Sequence, residues 1–218
     1  MSDRKQQALS ALEAVGVVAV LRTAQPVHTR EILDAVGAGG LRHVEITMTT
    51  PGALEIIRDL RAYRPDMYVG VGTVLDAATA RLAILAGADY VVCPVFDRPT
   101  IDVCRQYSVA VMPGGLTPSE VANAWNAGAD IVKVFPGRIA TPEYIADLKA
   151  PLPHIKMMPT MEMTPEKACA YIRAGAVGIG VGSSIFDPEA MAAGRFGALT
   201  EAARSFVEAV SEEIRGRA

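Results

Sequence analysis

Lys133 stands alone among apolar, β-prone neighbours in the stretch Asp130-Ile131-Val132-Lys133-Val134-Phe135-Pro136-Gly137. An ammonium group taken out of water is costly unless it is paired. The cheaper outcome is a lowered pKa, and a neutral amine attacks carbonyl carbons. The other use of such a residue is a lysine at a strand tip that reaches out to water. The chain holds five lysines. Lys5, Lys149 and Lys167 fall in polar helical contexts that suit a solvated surface, and Lys156 opens an apolar run instead of closing one. Only Lys133 lies deep in an apolar run near its C-terminal end.

Five further residues stand at or near the ends of similar runs: Arg22, Glu45, Thr47, Thr73 and Thr160. Strand alternation puts Glu45 with Thr47 on one face, and Lys133 with Ile131 and Phe135 on one face. Together they offer an amine, a carboxylate, a guanidinium and hydroxyls. With no metal, an amine and a carboxylate suit Schiff-base chemistry. The amine condenses with a ketone, the iminium draws electrons from the neighbouring bond, and the carboxylate moves protons.

That chemistry needs the run ends to share one mouth. β-branched runs recur about every 20–26 residues with amphipathic stretches between them, the alternation of a parallel sheet covered by helices. They are 15–22, 41–47, 68–73, 89–93, 109–113, 130–135, 155–160 and 176–182. Thr117-Pro118-Ser119-Glu120 reads as a helix cap with proline at the first helical position, and Thr141-Pro142-Glu143 and Thr164-Pro165-Glu166 repeat the opening. Thr50-Pro51 and Arg98-Pro99 are weaker versions. Ala86-Gly87-Ala88-Asp89, Ala127-Gly128-Ala129-Asp130 and Ala174-Gly175-Ala176-Val177 put glycine where a helix stops and a strand begins, with Gly39 a looser fourth copy. These glycines stand 41 to 48 residues apart, two strand–helix units per step. Eight units predict a single compact (β/α)8 TIM-barrel domain over 1–218, with active-site residues at the C-terminal strand ends. An open doubly wound sheet is the alternative. A helix over 3–14, with Leu9 and Leu12 on one side, is expected to close the barrel bottom. Residues 195–213 place Phe196, Leu199, Phe206, Val207 and Val210 at helical spacing, as core or subunit contact.

Composition narrows the function classes. Half of the residues are hydrophobic and the formal charge is −3, which argues against nucleic acid or an anionic membrane surface as partner. No apolar run reaches the length of a membrane span, and the polar segment Met1–Gln7 lacks a signal-peptide core. Cys93, Cys104 and Cys169 form no CxxC pair and leave one over, which fits a reducing cytoplasm. His28, His43 and His154 give no metal-ligand spacing, so neither a metal nor another cofactor is expected.

The motifs Val44-Glu45-Ile46-Thr47, Gly70-Val71-Gly72-Thr73-Val74, Lys133-Val134-Phe135-Pro136, Pro159-Thr160 and Gly182-Ser183-Ser184, in that order, resemble the 2-keto-3-deoxy-6-phosphogluconate / 4-hydroxy-2-oxoglutarate aldolase family. The resemblance runs over nearly the whole chain. It implies a homotrimer of (β/α)8 barrels that splits a 2-keto-4-hydroxy acid into pyruvate and an aldehyde. By position, Lys133 matches the Schiff-base lysine and Glu45 the acid/base carboxylate. Thr73 and Thr160 match residues lining the pyruvate site, with Pro94 and Phe135 as its apolar walls. Many members carry an arginine where this chain has Thr49. Another branch carries it at the end of the first strand, so Arg22 is the expected clamp for the pyruvate carboxylate. Members of the family have Gly-Gly after the Pro-Thr, where backbone N–H groups help bind a substrate phosphate. This chain reads Pro159-Thr160-Met161-Glu162-Met163. Gly182, Ser183 and Ser184 could supply part of an anion site, and Arg138 a compensating cation. Glu162 either opposes a phosphate or points away into solvent, and the expected substrate differs at its distal end from the usual 6-phosphate. A phosphosugar isomerase or epimerase, and a non-catalytic small-molecule-binding barrel, are the competing readings on the same fold.

Overall fold

The computed structural model describes residues 2–217. Met1 of the polar N-terminal segment and Ala218, the last residue of the expected domain, lie outside the described residues. After α1 (Ser2–Val15), strands and helices alternate: β1 (Val17–Leu21), α2 (Thr29–Ala38), β2 (His43–Thr47), α3 (Ala53–Tyr63), β3 (Tyr68–Gly72), α4 (Ala77–Ala86), β4 (Tyr90–Val92) and α5 (Arg98–Gln106). The pattern continues through β5 (Ala110–Met112), β6 (Gly114–Gly115), α6 (Pro118–Asn126), β7 (Val132–Val134), α7 (Pro142–Lys149), β8 (Met157–Pro159), α8 (Pro165–Arg173), β9 (Ile179–Val181), α9 (Pro188–Ala192) and α10 (Phe196–Arg215).

The fold is α/β, built on a curled, parallel sheet. One ladder runs β5-β4-β3-β2-β1-β9 and a second runs β6-β7-β8. The run expected over 109–113 is interrupted. Pro113 has no N–H to donate, so β5 stops at Met112 and pairing resumes at Gly114, with Lys133 N–H donating to the Pro113 carbonyl at 2.9 Å. Beyond β8, Thr160 bridges Gly180, and Met161 N–H donates to the Gly180 carbonyl at 3.1 Å.

Alternation along the strands sorts the core into two layers. Val17, Ala19, Val44, Ile46, Val69, Val71, Val132 and Val134 face the helices. Val18, Tyr90, Val92, Ala110, Met112, Ile131 and Met158 form a separate inner cluster, joined by Leu12 of α1. The helix starts follow their caps. Thr117 makes the full capping box with Glu120, and Thr141 and Thr164 each accept from the N–H three residues on. Thr50-Pro51 is a turn instead, because α3 begins only at Ala53 after a left-handed Gly52. The short α9, opened by Asp187-Pro188, was not foreseen from the sequence. Helix α10 buries Leu199, Phe206 and Val210 and half-buries Phe196 and Val207, packing on α2 and α8, so this stripe is core.

The glycine repeat has a second purpose besides ending helices in the left-handed region at Gly87, Gly128 and Gly175. Two copies end in aspartate. Asp89 accepts the Val69 N–H at 2.9 Å, and Asp130 the Val111 N–H at 2.9 Å. The same carboxylates hold α1, through Arg4 Nε to Asp89 at 2.9 Å and Lys5 Nζ to Asp130 at 2.8 Å. Arg61 joins Asp89 at 3.2 Å, and His43 Nε2 donates to the Ala8 carbonyl at 2.9 Å. Burial pushes the His43 pKa down to about 4, so the ring is neutral. Among the described residues no helix is long and apolar enough to cross a membrane.

Asp89→Ala would leave the buried Val69 N–H unpaired and take the carboxylate from Arg4 and Arg61, which keep backbone carbonyls as acceptors, and its expected cost is about 1–3 kcal/mol. Urea unfolding measures it; a change below about 0.5 kcal/mol, the scale of an ordinary surface substitution, would refute this role for Asp89.

Candidate active site

Glu45 sits at the third position of β2, on the inner face, between Val44 and Ile46 that face outward. It is 1% exposed, and its Oε1 has no hydrogen-bond partner among the described residues. Gly72, across the ladder, makes room for it: a Cβ there would fall 1.7 Å from Glu45 Oε1. Burial pushes the Glu45 pKa up, and the positive charges of Lys133 and Arg22 offset part of that, leaving the carboxyl above its usual 4.5. Such a group holds a proton more readily than a surface carboxylate, which suits a proton carrier.

Lys133 occupies the centre of β7 and is 5% exposed, so its side chain does not run out to water. Its amine lies 5.2 Å from the centre of the Phe135 ring. The other lysines are committed elsewhere or exposed. Lys156 pairs with Glu13, Lys5 with Asp130, and Lys167 is exposed. Lys149 is not the solvated surface residue expected of it. It is half-buried and donates to the carbonyls of Pro153 and Ile155 at 2.7 and 2.9 Å.

The two groups line one pocket of about 310 Å³, within the range of small-molecule sites. Arg22, Phe135, Thr160, Gly182 and Ser183 line it as well. Thr160 Oγ1 is buried there without a partner among the described residues. Thr73, expected in the site, falls outside the lining and reaches it only through Arg22, accepting from Arg22 Nη2 at 3.3 Å; its φ of 59° is in the left-handed region that threonine rarely adopts. Other expectations fall outside the lining. Pro94 walls a separate depression that shares only Phe135 with this pocket. Thr47 turns to the hydroxyls of Thr49 and Thr50, at 3.0 and 3.3 Å. Arg138 is exposed and does not line the pocket. Val20, Met161, Phe186 and Pro188 complete the wall and were not foreseen. Strand alternation turns Val20 inward, but Met161 and Phe186 lie on irregular segments and Pro188 opens the short α9, none with a periodic signal.

Glu162 is exposed yet lines the pocket, and its carboxylate turns to the backbone there instead of standing free as a loop-surface charge. Its Oε1 accepts from Ser183 N–H at 2.9 Å, and its Oε2 from Ser184 N–H at 2.8 Å and from Ser184 Oγ at 3.0 Å. Ser184 thus faces the carboxylate without itself lining the cavity.

A curled parallel sheet whose strand ends gather an amine, a carboxylate and a guanidinium around one cavity defines a parallel α/β protein with a small-molecule site. The family model described as KDPG and KHG aldolase matches residues 9–202, and the chain belongs to that family. It is therefore an aldolase, a carbon–carbon lyase. It is 32% identical over 161 residues to the 2-dehydro-3-deoxy-phosphogluconate aldolase of Haemophilus influenzae, covering 73% of this chain and 76% of that protein. It is 32% identical over 172 residues to the 2-dehydro-3-deoxy-6-phosphogalactonate aldolase of Escherichia coli, covering 78% and 84%. A solved structure described as native KDPGal superposes with a TM-score of 0.84 at 29% identity, covering 91% of this chain and 96% of that one.

The raised Glu45 pKa fixes the sign of a stability effect. The folded protein holds this proton more tightly than the unfolded chain does. Its contribution is complete below the usual 4.5 and is lost as pH rises through the folded value. Glu45→Gln removes the buried charge, so its stability relative to wild type is expected to grow with pH, reaching about 1 kcal/mol in alkaline buffer. Thermal melts from acid to alkaline pH would show it; a gap that narrows as pH rises would contradict the assignment.

Proposed function

We propose that this protein is a class I aldolase that cleaves a 2-keto-3-deoxy-4-hydroxy acid to pyruvate and an aldehyde. The observation that carries this reading is that a buried amine and a buried carboxylate face one pocket, among residues that match the family's motifs. The Lys133 amine adds to the C2 carbonyl, and loss of water from the carbinolamine leaves an iminium. Glu45 takes the proton of the C4 hydroxyl, the C3–C4 bond breaks, and its electron pair moves into the iminium to give an enamine. The aldehyde departs, Glu45 returns a proton to C3, and water releases pyruvate and the free amine. The iminium is the electron sink, which makes a metal ion or other cofactor unnecessary to the scheme.

Arg22 binds the substrate carboxylate, a role its place on the rim supports. Its contact with Thr73 fixes the guanidinium, and the unpartnered Thr160 hydroxyl is available to the bound keto acid. Phe135 forms an apolar wall, with Pro94 behind it in the adjoining depression. Gly182, Ser183 and Ser184 lie toward the distal end.

We also read the curled sheet as a closed (β/α)8 barrel in one domain. Supporting this are the two ladders, the Pro113 link between them and the Thr160–Gly180 bridge. The insertion of Leu12 into the inner cluster supports α1 as its floor. Exposed Val95, Phe96, Phe135 and Ile139 offer apolar surface of the kind subunits cover, in keeping with a homotrimer. Three free cysteines, two of them buried, fit a cytoplasmic setting.

Pyruvate with borohydride is expected to leave one reduced adduct, at Lys133 on peptide mapping. No adduct, or an adduct at the half-buried Lys149, would sink the mechanism. Arg22→Ala is expected to raise the KM for pyruvate about 10–100-fold, the worth of charge-assisted hydrogen bonds. An unchanged KM in steady-state condensation assays would remove Arg22 from the site.

A further inference from the structure

The turn after β9 is shaped to hold an anion. Ser183 and Ser184 present successive N–H groups, and Ile185 and Phe186 close the turn by donating to the Gly182 carbonyl at 3.0 and 2.9 Å. Glu162 fills it as a ligand would, with one oxygen on each N–H and the Ser184 hydroxyl as a third donor. The fit is close on the other side too, since a Cβ at residue 182 would lie 2.6 Å from Glu162 Oε1. The segment carrying Glu162 is anchored rather than loose. Met161 N–H bonds Gly180, and the neighbouring Met163 is buried. Burial alone would push the Glu162 pKa up, but the Ser183 and Ser184 donors outweigh it and hold the carboxyl below its usual 4.5. The group is therefore ionised at neutral pH.

We infer that Glu162 is a specificity-determining residue: its own carboxylate occupies the turn that would hold a substrate phosphate, so the aldehyde half of the substrate ends in an uncharged, hydroxyl-bearing group. This rests on the Schiff-base reading of the same pocket. A phosphate entering here would have to expel a carboxylate held by three hydrogen bonds, or lie beside it. Among the described residues the pocket is lined by no cation besides Arg22 and Lys133, which the keto-acid half takes up, and Arg138 is outside the lining. A hydroxyl, in contrast, can donate to a carboxylate oxygen that still has acceptor capacity.

The test condenses pyruvate with D-glyceraldehyde or with D-glyceraldehyde 3-phosphate, in wild type, Glu162→Gly and Glu162→Gln, and compares kcat/KM for the two acceptors. The wild type is expected to favour the unphosphorylated acceptor at least about 10-fold. Glu162→Gly is expected to shift the ratio toward the phosphorylated acceptor by about 100-fold, the scale of two freed charge-assisted hydrogen bonds. Glu162→Gln, which loses the charge but keeps the bulk, should fall between. Inorganic phosphate at millimolar concentration should leave the wild type uninhibited and compete with the phosphorylated acceptor in Glu162→Gly. A wild type that prefers the phosphorylated acceptor or is inhibited by phosphate overturns the inference without recourse to a variant, as does an unmoved ratio in Glu162→Gly. Borohydride trapping with pyruvate, which does not engage the distal end, separates the two failures. If trapping succeeds and the acceptor ratio fails, only this inference falls; if the wild type does not trap, both readings fall.

Discussion

Two ionisable side chains held out of water, Glu45 and Lys133, impose the constraint on which the rest of the structure turns. Burying either one costs free energy that no nearby contact fully returns. Glu45 keeps an oxygen without a hydrogen-bond partner among the described residues, and its pKa rises accordingly. The surrounding architecture is what makes that arrangement tolerable. Each charged residue is flanked in sequence by β-branched neighbours that face the helices, so the strand stays anchored while its polar side chain turns inward. Gly72 leaves the space the carboxylate needs, and the inner cluster of Tyr90, Met112, Ile131 and Met158 lies in the same inner layer. Such a site lowers stability in exchange for poised acid–base groups, the usual relation between function and marginal stability.

The pocket also carries fixed charges of both signs: the exposed guanidinium of Arg22 and the amine of Lys133, and the carboxylates of Glu45 and Glu162. An anionic keto-acid head is drawn to the cations, and a second anion is repelled by the carboxylate of Glu162. On this reading, orientation and selectivity come from the same fixed charges. Thr73, in a backbone conformation that costs threonine free energy, touches Arg22 where the guanidinium has to be aimed.

Much of this was legible because the signals were local and repeated. The apolar runs, the Thr-Pro-Glu helix starts and the glycines at 87, 128 and 175 each follow from backbone chemistry that acts within a few residues. Setting aside the other lysines left Lys133, and strand alternation put Glu45 inside. The Ala-Gly-Ala-Asp repeat held more than helix ends, because its aspartates dock α1, a contact between segments far apart in the chain. Long-range geometry explains the misses in the same way. Pro113 splits a run that composition presents as continuous, and Lys149 finds carbonyls in the turn that follows its own helix. The direction of Glu162 was open from sequence, since it depends on N–H groups about twenty residues further on, brought near by the isolated parallel bridge between Thr160 and Gly180.

The central claim is that Lys133 and Glu45 act on one bound ketone as imine former and proton carrier. Exchange of the pyruvate methyl protons in deuterium oxide, followed by proton NMR, reads both roles at once and needs no aldehyde. The account predicts rapid exchange in the wild type, none above background in Lys133→Ala, and a fall of about 10²–10⁴-fold in Glu45→Gln. Exchange that persists in Lys133→Ala, or is undiminished in Glu45→Gln, would contradict it.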